Sequence, residues 1–243
     1  MRNFWVIFKK ELAGLFFSPV AYVTIALVTA ASAILFLQSV ENNIGNEESL
    51  VMLLMVSIMV WLPILVTVVC MRLFAEEKRA GTLETLMTVA VSEVSIVLGK
   101  YFSALFFVWV ALLPGLGVIY LLAYMSPGIE GVDVYGLMGG VILLGLLSIA
   151  CVAIGLFVSL LTRNQIVAAI ACFVAICVPF FAEPILALLP LASDRVVEYL
   201  SVESHLLAFV SGSLSVHVFV LYISVAMLFL FAAVRVLEAR RWL

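Results

Sequence analysis

The chain has 243 residues, 66% of them hydrophobic and only 11% charged, with a mean hydropathy of +1.32. A water-soluble domain of that composition would expose an aggregation-prone surface, so the bilayer is the solvent this sequence suits, and no room is expected for a separate soluble domain. The net charge of −3 means little beside its distribution, and no stretch is basic enough to serve as a phosphate-binding face for nucleic acid.

The first element is expected over residues 2–17. Phe4, Phe8, Leu12 and Leu15 recur at helical spacing, while Arg2 and Lys9 share another face. With Trp5 beside them, these residues predict an amphipathic helix in the membrane interface. Arg2, Lys9, Lys10 and Glu11 interrupt the run and argue against a cleavable signal peptide. Ser18-Pro19 ends the helix and turns the chain into the membrane.

Six apolar segments follow, at about residues 19–38, 50–74, 101–125, 134–161, from 166 onward, and 216–236. Each approaches or exceeds the roughly 20 residues that cross a hydrocarbon core, except the fifth. That segment is expected to lose regularity at Pro179, and Glu183-Pro184 is read as its outer end, already in water. The fold class is therefore all-α: a single polytopic domain over residues 1–243 with six transmembrane helices. Eleven of the twelve Lys and Arg residues fall on the side shared by both termini, and Arg195 alone falls on the other. That bias places both termini in the cytoplasm.

Two stretches are neither spans nor tight turns. The external segment 183–215 mixes Glu183, Asp194, Arg195, Glu198 and His205 with leucines and valines, and predicts short amphipathic or re-entrant helices before the last span. The cytoplasmic loop 75–100 carries a small helix. Thr82 is placed to cap it, Glu84 lies in its first turn, and Leu83, Leu86 and Met87 form one apolar face. Ser92-Glu93 restarts a helix that runs through Lys100 into the third span. The 82–88 helix fits two roles: resting on lipid, or docking in a groove on a soluble partner.

The chain carries no engine of its own. Gly99-Lys100 is followed by Tyr101 and lacks the upstream glycine of a phosphate-cradling GxxxxGK[ST] loop. His205 and His217 belong to no HExxH, and there is no GxSxG. No catalytic residue and no metal site are expected, and His205 is read as a solvated residue. Cys70, Cys151, Cys172 and Cys177 all lie in apolar runs and are read as small buried thiols. Small residues recur four apart at Gly136 and Gly140, Gly155 and Ser159, Ala168 and Cys172, and Ala171 and Ala175, a spacing that lets helix backbones approach closely.

The string EEKRAGTLETL, followed by VSEVSIVLGKY, resembles the cytoplasmic loop of exporter-class ABC permeases, and among them the gliding-motility-associated type. Those permeases have six spans, an interfacial N-terminal helix, a coupling helix between spans two and three, and short re-entrant helices before span six. The order of elements here follows theirs over nearly the whole chain. One departure is Ala90, where the family usually has proline just before the position of Val91. The resemblance implies a permease subunit in a bacterial cytoplasmic membrane, working with two cytoplasmic ABC ATPase subunits and a second permease, identical or sister. ATP and Mg would be bound by the ATPases and no cofactor by this chain. It further implies ATPase coupling through Glu76, Glu77, Lys78, Gly81, Thr82, Leu83, Glu84 and Leu86, and a permease–permease interface on the fifth span at Ala168, Ala171, Cys172 and Ala175. Membrane lipid and a periplasmic or membrane accessory protein complete the expected partners. An alternative keeps the ATPase but has no cargo, and passes mechanical work to an external partner through residues 183–215. An ion-coupled secondary transporter would need carboxylates or broken helices at the membrane midplane, which the spans do not clearly offer.

Overall fold

The structure, a computed structural model, describes residues 2–42, 50–81, 92–125, 133–187 and 199–241. All regular structure among them is helical. In chain order the helices are α1 (Arg2–Phe16), α2 (Pro19–Asn42), α3 (Leu50–Met59), α4 (Leu62–Leu73), α5 (Ala75–Ala80), α6 (Glu93–Met125), α7 (Val134–Leu161), α8 (Gln165–Ala187), α9 (Val202–Val210) and α10 (Val216–Arg241).

Five stretches are long and apolar enough to cross a membrane: Pro19–Asn42, Leu50–Ala80, Glu93–Leu122, Val134–Leu161 and Val216–Ala239. The apolar helix Gln165–Phe181 is shorter. It is part of α8, which does not lose its regularity at Pro179 but continues as one helix of 23 residues to Ala187. A proline removes a single helical hydrogen bond, and a helix packed against its neighbours tolerates that loss. Glu183-Pro184 therefore lies within the helix. The second apolar segment is instead broken, at Val60–Trp61. Pro63 occupies the first turn of α4; its ring opposes the carbonyl four residues earlier, that of Met59, where α3 stops.

α7 is the central element, packed against α4, α8, α9 and α10. Its small residues permit that closeness. A Cβ on Gly139 would lie 2.1 Å from the Phe209 carbonyl oxygen of α9, and one on Gly155 would lie 2.8 Å from the Cys70 side chain of α4. The Cys70 thiol points at the Val152 carbonyl and the Cys172 thiol at that of Gly155, at 3.8 and 3.3 Å. Cys70, Cys151 and Cys172 are buried free thiols, as their apolar setting predicts, and Cys177 is half-buried.

α1 and α2 pack on α6. The expected apolar face of α1 is partly committed to that contact: Phe4 and Phe8 lean on Phe102 and Phe106, with centroids 6.1 and 6.5 Å apart. The most buried apolar side chain of α1 is one that periodicity did not single out, Ile7, which presses on Gly99.

Candidate functional site: a charged elbow where three helices meet

Phe74 interrupts the passage from α4 to α5 with a non-helical backbone (φ −124°, ψ −34°). Breaking a helix strands amide donors, which are costly to bury unpaired. Here the amides of Phe74 and Ala75 both donate to Ser159 Oγ, at 3.3 and 3.4 Å, from the end of α7. Lys78 then donates to the Leu160 carbonyl, where a cation also meets the negative end of the α7 dipole. α5 closes at Gly81, whose φ of 69° is left-handed and whose amide returns to Glu77 and Lys78 carbonyls; glycine adopts that conformation without a side-chain clash.

Lys100 occupies the inner side of this elbow. It is fully buried, yet its ammonium has one hydrogen-bond acceptor and two carboxylate counter-ions. Glu11 of α1 lies at 3.0 Å, Glu77 of α5 at 3.0 Å, and the Leu73 carbonyl at the end of α4 at 2.8 Å. The Phe74 ring lies 5.1 Å from the same nitrogen. Lys10 approaches Glu77 at 3.8 Å from its exposed side. Two cations and two carboxylates thus share one node, so the desolvation cost of burying Lys100 is offset by geometry available only when α1, α5 and α6 are together. Arg72 donates to Ser18 Oγ at 2.6 Å and ties the α1–α2 corner to α4.

Of the residues expected to couple to an ATPase, Glu77 and Lys78 belong to this elbow, Gly81 ends it, and Glu76 is exposed on it. Thr82, Leu83, Glu84 and Leu86 lie outside the described residues. Lys100, Glu11 and Ser159 are members that sequence reasoning did not place here. The available signal was a lysine followed directly by a long apolar span, since such a charge needs a partner.

On α8, Ala168 and Cys172 are fully buried inside this chain, and Ala171 and Ala175 are half-buried. The outward stripe of α8 is large and apolar, with Ile166, Ile170, Phe173, Val174 and Val178 exposed.

At the other end of the bundle, His205 is not solvated as expected but buried, with 3% of its surface exposed. Val202, Leu206 and Phe209 of the same short helix turn inward with it. Its Nδ1 shares a 3.1 Å hydrogen bond with the Tyr222 hydroxyl of α10. Burial, and then the neighbouring His217, holds the imidazole below its usual range.

Among the described residues, the charges of the elbow fix helices to one another. Residues 17–179, well over half of the chain, match the family described as ABC-2 family transporter protein. No curated protein sequence matches the chain. With its apolar helices and this match, the chain belongs to the ABC-2 transporter family, as a multi-pass membrane permease subunit of an ABC transporter.

Proposed function

We propose that this permease couples ATP hydrolysis by two cytoplasmic ATPase subunits to export or to work on an envelope partner, with the charged elbow as its input joint. The supporting observation is Lys100, which holds Glu11 of α1 and Glu77 of α5 at 3.0 Å each from within α6. A push on the segment that follows Gly81 would reach α5 first. From there it would pass to α1 and α6 through the ion node, and to α4 and α7 through Phe74 and Ser159. In this reading the charged end faces the cytoplasm, as the distribution of Lys and Arg supports. α8 completes six spans, and the membrane is the bacterial cytoplasmic membrane. Two permeases, identical or sister, form the working unit.

The apolar face expected at Leu83, Leu86 and Met87 is the part that docks on the ATPase. Leu86→Asp would bury an unpaired carboxylate there, at a cost of several kcal/mol before relaxation, on the order of a hundredfold or more in affinity. The mutant chain should insert at wild-type levels and lose the ATPase in a pull-down from native membranes. Full retention of the ATPase at equal expression would sink this docking assignment.

A further inference from the structure

A cleft of about 310 Å³ opens beside the elbow, between the α1–α2 corner, α4 and the start of α5. Its walls change character along their length. Leu65 and Val69 of α4 and Ala21 of α2 line it toward the membrane interior; Ser18, Arg72 and Glu76 line it at the charged end. Such a surface matches an amphiphile, apolar inward and polar at the headgroup level.

The charges that line the cleft fall into two sets. Lys10, Glu11, Glu77 and Lys100 are engaged with one another in the ion node. Arg72 and Glu76 have no ion-pair partner among the described residues, and they do not pair with each other. The break at Phe74 explains this: it lies between them and destroys the helical i, i+4 relation that would have joined them. Arg72 spends one donor on Ser18 Oγ, and its Nε is buried without a partner. The cleft therefore offers one cation at the end of α4 and, one step farther from the membrane interior, one exposed carboxylate at the start of α5.

We propose that this cleft binds one zwitterionic aminophospholipid from the leaflet that meets the charged end. The phosphate would accept from Arg72, a guanidinium suited to it. The primary ammonium would donate to Glu76, which lies on the watery side of the phosphate. The glycerol and first methylenes would lie along Leu65 and Val69. A headgroup carrying both charges is the occupant that supplies a counter-ion to both side chains. An anionic lipid with no amine leaves Glu76 unanswered, and a quaternary choline has no N–H to donate to it.

Native mass spectrometry of the detergent-purified chain, titrated with phosphatidylethanolamine, phosphatidylglycerol or phosphatidylcholine, tests this. The wild type should retain one phosphatidylethanolamine per chain with about a tenfold preference over each of the others, the size one charge-assisted hydrogen bond supplies. Glu76→Gln should erase the preference over phosphatidylglycerol while leaving phosphatidylglycerol retention unchanged. Arg72→Gln should lower retention of both lipids about tenfold. If Arg72→Gln does not fold, the exposed Glu76→Gln decides alone. Equal retention of the three lipids by the wild type, or an unchanged preference in Glu76→Gln, would overturn the proposal. The readout involves no ATPase, so a negative result here leaves the coupling role of the elbow standing.

Discussion

The two ends of α7 are held by different physics. At its last turn, Ser159 and Leu160 receive donors from a broken helix and a lysine, next to an ion node built around the buried Lys100. About 30 Å away along the same helix, Gly139 lets the α9 backbone approach until no side chain would fit. His205 there makes one neutral hydrogen bond to Tyr222. The packed end gains from dispersion and from burial of small surfaces, interactions that decline gradually when geometry shifts. The charged end depends on a few directional contacts between separate helices, and a buried charge that loses its partner is heavily penalised. An end of that kind is held or lost as a unit, which is what the proposed input joint requires. The other resists deformation.

The contrast can be broken most severely at Lys100. Lys100→Met leaves Glu11 and Glu77 facing each other without their cation, and should cost about 3–5 kcal/mol of stability. Combining it with Glu11→Gln and Glu77→Gln removes the three inner charges at once, leaving only the exposed Lys10, and should recover most of that loss. Thermal unfolding of the purified single and triple variants in detergent measures both. A triple variant no more stable than Lys100→Met would mean that the node is not a cooperative unit.

The packed end is tested by Gly139→Ala. Its new Cβ collides with the Phe209 carbonyl, which belongs to backbone and cannot swing away. Overpacking of this sort costs about 1–3 kcal/mol. Gly145→Ala, on the same helix with open space around it, should be neutral or stabilising by up to about 1 kcal/mol, because alanine is the better helix former. Melting curves that move equally for the two would contradict the close approach of α9.

The smallest effect is one of pH. The His205 imidazole is held below its usual range, so the opened state of α9 binds more protons than the packed one. The contribution of His205 is complete above its ordinary pKa, near 6.5, and is lost as pH falls below that value. The opening constant of residues 202–210, taken from hydrogen exchange after dividing out the slower intrinsic exchange at low pH, should rise on acidification from pH 7.5 to 5.5. In His205→Gln the rate of opening should no longer respond to pH over that window.

Much of this architecture is legible in the sequence, and its gaps have physical reasons. The fourth apolar segment coincides with α7 because Asp133 caps its first amides through its side chain and Thr162 is extended at its other end. The Ser18-Pro19 turn is found where a proline allows only a helix start. The break at Val60–Trp61 is hidden because both sides of it are apolar, and the proline that causes it lies past the interruption. α8 runs farther than expected because Pro179 costs one hydrogen bond, a small loss against the packing of its buried face. The elbow is the least legible part. Glu11, Glu77 and Lys100 are far apart in sequence, each reads alone as a charge near a membrane boundary, and only the packing of α1 on α6 brings them together. His205 is hidden for a related reason: its polarity suggests water, while the tertiary fold supplies Tyr222.

The central claim is that the ion node makes α1 and α6 move as one body when the ATPases close. Spin labels at the exposed positions Ala13 on α1, Val94 on α6 and Ile223 on α10, placed in pairs in a cysteine-free background, report on it directly. Distances are measured by electron–electron double resonance on the assembled transporter, with and without a non-hydrolysable ATP analogue. In the wild type the 13–94 distance should stay constant while the 94–223 distance changes. In the Lys100→Met, Glu11→Gln, Glu77→Gln triple variant, with the ATPase still bound, the 13–94 distance should change as α1 ceases to follow α6. A wild-type 13–94 distance that shifts with nucleotide, or a triple variant that behaves as the wild type does, would contradict the account.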